Sequence, residues 1–231
     1  MPDRPTASPK SSNAMATRVN SENKDHWYDG LFYDLFIAPH QDSAFLRVRE
    51  LIADGSTLLD VGCGTGRLVF QLTGKCGRID GIDPSVSNID IARRKVSAKP
   101  SDRVRFHHAD ALTFLSQNNL RFDYVTMSYV IHEIDEAERS ALLHSLYGVA
   151  HCMIMVDYLV PQTKGHRRIL NEAVEFVAGS SHYRNFRSFI AGNGLTGLLE
   201  REGLKILREL RNDPPSSHIV LVAGALGQAK E

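Results

Sequence analysis

The sequence predicts an α/β fold in which a mostly parallel sheet carries helices on both faces. Three observations predict it. Short apolar runs alternate with amphipathic helical segments through the middle of the chain, the rhythm of strand–helix–strand units joined by right-handed crossovers. The first run, Ser56 to Val61, breaks into glycines at alternate positions, Gly62, Gly64 and Gly66. Acids stand at or just past the ends of the next two runs, Asp83 and Asp110, where open α/β sheets bind their ligands.

Taken in order, residues 1 to about 22 are rich in Pro, Ser, Thr and Asn and read as a disordered leader, because they bury too little to offset ordering entropy. Within it, Met15 reads either as a second start or, with Ser12-Asn13-Ala14, as the remnant of a tag. Residues 23–54 read as a helical lid: an aromatic piece containing Trp27, Tyr28 and Tyr33, then Pro39, then helical spacing at Phe45, Leu46, Val48, Leu51 and Ile52. Ser56 to Val61 is the first strand and Arg67 to Leu72 begins the helix after the glycines. Arg78 to Asp83 is the second strand. Ser85 suits an N-cap, and Ile89, Ala92 and Val96 form the buried stripe of the next helix.

Val104 to His107 is the third strand, followed by a short helix near Leu112 to Ser116, and Phe122 to Ser128 is the fourth. Asp135 and Glu138 have capping-box spacing ahead of Leu142, Leu143 and Leu146. Cys152 to Tyr158 is almost unbroken apolar sequence, as a strand buried on both faces requires. There the rhythm breaks. Residues 159–197 are too long for a simple connection and read as a cover over the sheet's C-terminal edge. A helix ending at Gly203 then feeds a strand, and Asn212 to Ser217 turns into a last strand, His218 to Ala223.

Composition narrows the classes. The 231 residues suit one domain with modest additions. Lys+Arg and Asp+Glu both number 27, and a sequence-independent nucleic-acid binder usually shows a basic excess, so nucleic acid is not the expected partner. Cys63, Cys76 and Cys152 are widely spaced, which argues against a zinc site or a disulfide framework and suits the cytoplasm. No apolar run approaches the roughly 18 residues that span a bilayer.

The glycine loop carries the chemistry. A dinucleotide site reads Gly-x-Gly-x-x-Gly, whereas this chain reads Asp60-x-Gly62-x-Gly64-x-Gly66. That pattern resembles motif I of the class I S-adenosylmethionine-dependent methyltransferases, and the run after the fourth strand is similar to the small-molecule members of the ubiquinone-biosynthesis and type 11 kind. The resemblance spans about residues 25–224 and is specific only at Asp60 to Gly66, Asp83 and Asp110.

It implies the Rossmann-like seven-stranded sheet of that family, in order 3-2-1-4-5-7-6 with an antiparallel last strand. It also implies S-adenosylmethionine as cofactor, S-adenosylhomocysteine as product, no metal, and methyl transfer to an O, N or C centre of a small molecule. By the same resemblance Asp60, Gly62, Cys63, Gly64 and Gly66 receive the amino-acid end of the cofactor. Asp83 with Pro84 takes the ribose hydroxyls, Asp110 with Ala111 the adenine, and Ser128 and Tyr28 complete the cofactor set. Tyr33, Tyr158, His182, Tyr183 and Arg187 form the expected substrate wall.

His132 and Glu133 are the acid/base candidates. An imidazole of ordinary pKa, near 6.5, could take a proton from a hydroxyl or amine; His132 could equally orient the loop or pack on the cofactor. Tyr28 and Tyr33 read as lid residues or as plain packing. His107 and His108 read as a solvated strand end rather than as metal ligands, for want of a third ligand. The Lys/Arg-Pro-Gly-Gly turn usual before the fifth strand in the family is replaced by Tyr147-Gly148-Val149-Ala150, so the turn there is expected to differ. The Asn-Pro-Pro-Tyr of DNA and protein-glutamine methyltransferases is missing after the fourth strand, and Asn212-Asp213-Pro214-Pro215 belongs to the final turn. A protein or RNA methyltransferase, a non-catalytic S-adenosylmethionine-binding protein and an NAD(P)-dependent oxidoreductase remain as rivals.

Overall fold

A computed structural model of the protein describes residues 41–98, 101–161, 180–212 and 216–227. The expectations for the leader and for Trp27, Tyr28 and Tyr33 lie outside these residues. Seven strands among them form one sheet: β1 (Thr57–Val61), β2 (Arg78–Asp83), β3 (Val104–His108), β4 (Phe122–Ser128), β5 (Ala150–Tyr158), β6 (Ile206–Arg211) and β7 (Ser217–Ala223). Their order is β3-β2-β1-β4-β5-β7-β6. The pairs from β3 to β5 are parallel; β7 runs antiparallel to both β5 and β6. The helices are α1 (Asp42–Leu51), α2 (Arg67–Leu72), α3 (Val86–Ala98), α4 (Ala111–Gln117), α5 (Glu136–Val149), α6 (Ser180–Ala191) and α7 (Gly194–Arg201).

The period-2 alternation of strand side chains sorts the apolar residues into two cores. In β1, Leu58 faces one and Leu59 and Val61 the other; in β5, Ile154 and Val156 face one and Met153 and Met155 the other. Phe45 and Val48 of α1 cover the first face with Leu68 of α2 and Ile89 of α3. Phe114 of α4, Leu143 of α5 and Leu199 of α7 cover the second. A sheet buried on both sides explains why these strands read as continuous apolar runs.

Several expectations are corrected in detail. Asp135 caps α5 by accepting from the Ala137 N–H at 3.1 Å rather than from Glu138; the Glu138 side chain instead turns to the cavity described below. With no Pro-Gly-Gly to stop it, α5 runs to Val149 and passes straight into β5 at Ala150. The adjacent histidines stand at a partly solvated strand end, His108 exposed and His107 half-buried, and each ring also has a partner. His107 Nε2 lies 2.9 Å from Asp80 Oδ1, and His108 Nε2 lies 3.0 Å from the Pro84 carbonyl. Asp80, which is buried, also pairs with Arg78 at 2.9 Å, so it serves the sheet and leaves Asp83 at the strand end. No helix among the described residues is long and apolar enough to cross a membrane.

Candidate active site

Strand order reverses between β1 and β4, and the crevice at their carboxyl ends is the place where sheets of this kind take ligands. A cavity of about 410 Å³ opens there, within the roughly 300–1,000 Å³ of small-molecule sites. Its wall includes Gly62, Cys63 and Gly64 after β1, Asp83 and Pro84 at β2, Asp110 and Ala111 after β3, and Ser128 to Val130 after β4. Glu133 and His182 complete the far side with Ile134, Glu138 and Leu142.

The loop's three glycines have different duties. All have positive φ, between +53° and +83°, where an L side chain is strained. A Cβ on Gly62 would collide with Val130, and one on Gly66 would come within 2.6 Å of Phe106 Cζ. Two of the three close approaches are thus made by the chain itself, a correction to reading them all as room for a ligand. Only at Gly64 is the Cβ position open. Its N–H donates to Asp83 Oδ2 at 2.9 Å, while the other carboxylate oxygen accepts from Ser85 N–H at 2.9 Å. Asp83 therefore ties the loop after β1 to the turn after β2 and still faces the cavity.

Asp110 caps α4 through the Thr113 N–H at 2.9 Å. The cap accounts for one oxygen of a carboxylate that has about four acceptor sites. Behind the loop, Asp60 is buried and accepts from the Thr126 hydroxyl at 2.7 Å. Desolvation, helped by nearby Asp83 and opposed by Thr126, pushes its pKa up to about 7. Burial also pushes the Cys63 thiol far above its ordinary range, which disfavours the thiolate.

The structure brings together Gly62, Cys63, Gly64, Asp83, Pro84, Asp110, Ala111, Ser128, Glu133 and His182 on one wall. Others fall elsewhere, and each is a correction of place. Asp60 lies beneath the loop, and Gly66 caps α2 against Phe106. His132 is only 2% exposed and sits off the wall, with its Nδ1 2.8 Å from Asp157 Oδ1. Tyr158 packs behind it, with ring centroids 4.9 Å apart. Tyr183 and Arg187 are also off the wall, because only His182 in the first turn of α6 faces the cavity. Tyr28 and Tyr33 lie outside the described residues, and among those described no cluster of three or more His, Cys, Asp or Glu could hold a metal.

Asp157 and Tyr129 went unrecognised in the sequence. Asp157 is fully buried at the end of β5, and its signal was an acid inside an apolar strand. Tyr129 turns the chain at φ +59°, an uncommon conformation for a bulky residue that collects at functional sites. Its hydroxyl donates to Ser217 Oγ at 2.9 Å, and burial raises its pKa to about 12. Arg67, on the wall, is held by Asp42 through two hydrogen bonds at 2.8 and 2.7 Å; nothing local in the sequence pairs residues 25 positions apart.

Comparison with known proteins agrees with this architecture. Residues 58–151 match a family described as "Methyltransferase domain". The chain is 30% identical over 116 residues to phosphoethanolamine N-methyltransferase 2 of Caenorhabditis elegans, covering 48% of this chain and 26% of that protein. It is 31% identical over 126 residues to demethylmenaquinone methyltransferase of Oceanobacillus iheyensis, covering 52% of each. The chain thus spans about a quarter to a half of the length of these relatives. Among solved structures, magnesium protoporphyrin IX methyltransferase from Synechocystis PCC 6803 with bound SAH superposes with a TM-score of 0.59 at 21% identity, covering 89% of this chain and 96% of that one. By the order and direction of its seven strands this chain has the class I methyltransferase fold, and its residues 58–151 match a methyltransferase domain.

Proposed function

We propose that the protein transfers a methyl group from S-adenosylmethionine to an O, N or C centre of a small molecule. One observation carries the reading: the glycine loop, Asp83 and Asp110, at the ends of three neighbouring parallel strands, line a single cavity. The wall fits the cofactor by the chemistry of its donors and acceptors. Asp83 offers acceptor sites to a pair of ribose hydroxyls, and Asp110 keeps an oxygen for an amino group. The open face of Gly64 admits the amino-acid end. Buried Asp60 adds a carboxylate beneath a site for an ammonium group.

When bound, the cofactor supplies an activated methyl on sulfur. The chain's own task is then to hold acceptor and donor in line and keep water out, and proximity of this kind lowers the barrier substantially. Glu133 stands on the wall as the proton acceptor for a hydroxyl or amine. His132 acts from behind it, with Nε2 3.9 Å from Glu133 Oε1 and Nδ1 held by Asp157. Of the span expected to cover the acceptor, residues 162–179 lie outside the described residues, and α6 contributes His182 to the wall. The three thiols, all free, are compatible with a reducing compartment such as the cytoplasm.

Titration calorimetry with S-adenosylhomocysteine tests the reading. The native chain should bind in the micromolar range. Asp83→Ala should weaken binding by about 10–100-fold, the worth of one or two hydrogen bonds to a charged group, and Gly64→Arg should abolish it. No binding by the native chain at high micromolar ligand would sink the assignment.

A further inference from the structure

The loop after β4 and the cover helix α6 meet at one buried cation. Arg139, in the first turn of α5, is 3% exposed. Its hydrogen bonds among the described residues all go to carbonyl oxygens. Nε donates to Ile134 at 3.0 Å; Nη2 donates to Asn185 of α6 at 2.7 Å and, at the limit of distance, to His132 at 3.5 Å. The guanidinium also lies 5.8 Å from the centre of the Phe189 ring. Asn185 answers from the other side, its Nδ2 donating to the Glu133 carbonyl at 2.8 Å. Three successive carbonyls, of residues 132, 133 and 134, are thus each claimed by one of two side chains from other elements.

Packing alone does not require this arrangement. Removing a guanidinium from water is costly, and an apolar side chain of similar volume usually serves a core at least as well. What the arrangement does achieve is directional. It holds the stretch that carries Glu133 against the helix that carries His182, and those two side chains stand on the same cavity wall. We propose that Arg139 and Asn185 are positioning residues that lock the His132–Ile134 stretch to α6, so that Glu133 and His182 present one rigid acceptor-binding surface. This rests on the methyltransferase reading for what the cavity holds. Because Tyr129 and Val130 of the same loop also line the cavity, a ligand that settles on them is felt in α6 through this brace.

Hydrogen exchange on the full chain, with and without S-adenosylhomocysteine as the probe, tests the proposal. In the native protein the probe should slow exchange both in residues 129–135 and in residues 182–190. Arg139→Gln and Asn185→Ala should bind the probe within about threefold of native and keep the slowing in 129–135. Both should lose at least four-fifths of the slowing in α6, and Arg139→Lys, which retains donors, should recover part of it. Slowing in α6 that is unchanged in both variants overturns the proposal, because a merely structural role predicts that result. If the native chain does not bind the probe, the methyltransferase reading fails by itself, and the brace is judged without ligand. Both variants should then exchange at least tenfold faster in residues 132–134 and in α6 while β1 and β4 stay native, and native rates there would overturn it. Should Arg139→Gln loosen the whole sheet, Asn185→Ala, which removes a single side-chain bond to the loop, decides.

Discussion

Asp60 sits at the end of an apolar strand with one hydroxyl for company, and its burial has a consequence for the whole chain's pH dependence. Its carboxyl titrates at about 7 in the folded protein against an ordinary 3.8. An acid raised in this way keeps its proton in the folded chain after the unfolded chain has released its own. The folded state is therefore favoured fully below pH 3.8, loses ground as pH rises to about 7, and then levels off. Asp60→Asn, which can still accept from Thr126, removes that loss. Urea unfolding at a series of pH values should show the variant gaining on the native chain between pH 4 and pH 7.5, by up to about 4 kcal/mol. Parallel pH profiles for the two proteins would show that Asp60 ionises normally.

The loop after β1 shows how one element divides its work. Gly62 makes room for Val130, Gly66 makes room for Phe106, and Gly64 is left for the cavity. Substitution should separate these duties. Gly62→Ala meets both an unfavourable φ and a collision, so it should cost about 2–4 kcal/mol in urea unfolding. Val130→Ala in the same chain should return the steric part. Gly64→Ala should cost only the backbone strain, about 1 kcal/mol. Equal losses at Gly62 and Gly64, with no recovery by Val130→Ala, would refute this division. The stretch from Tyr129 to Ile134 is a second such element: the Tyr129 turn enters it, and Arg139 and Asn185 hold its carbonyls. Its side chains reach both the cavity and the buried His132–Asp157 pair.

At the scale of the molecule, the cavity draws on both faces of the sheet. Phe45 of α1 comes from one core and Leu142 of α5 from the other. A ligand seated there touches both, and binding only the folded chain stabilises it by mass action. At a concentration one hundred times its dissociation constant, S-adenosylhomocysteine should add about 2.7 kcal/mol to the unfolding free energy. The gain should appear as a single cooperative shift of the melting transition, absent in Gly64→Arg. Two separated transitions on ligand addition would show the faces to be independent.

The sheet, its helices and the part of the cavity wall built from strand ends were legible in the sequence because they rest on local chemistry. Alternation of apolar residues marks a strand, a cap marks a helix start, and glycine after a strand followed by acids at the next two strand ends marks a nucleotide site. Gly64, Asp83 and Asp110 obeyed those rules and stand on the wall. His132, Tyr158, Tyr183 and Arg187 did not, because spacing along the chain says which residues are near one another and not which way a loop turns them. Only the tertiary structure decided that Glu133 faces the cavity while His132 turns away to Asp157. The same packing gave two of the three glycines to neighbouring side chains, and it brought Arg139 and Asn185 together from helices 46 residues apart. Motifs record what a backbone must do locally; the facing of side chains is set by long-range contacts, and these form only when the sheet closes over its two cores.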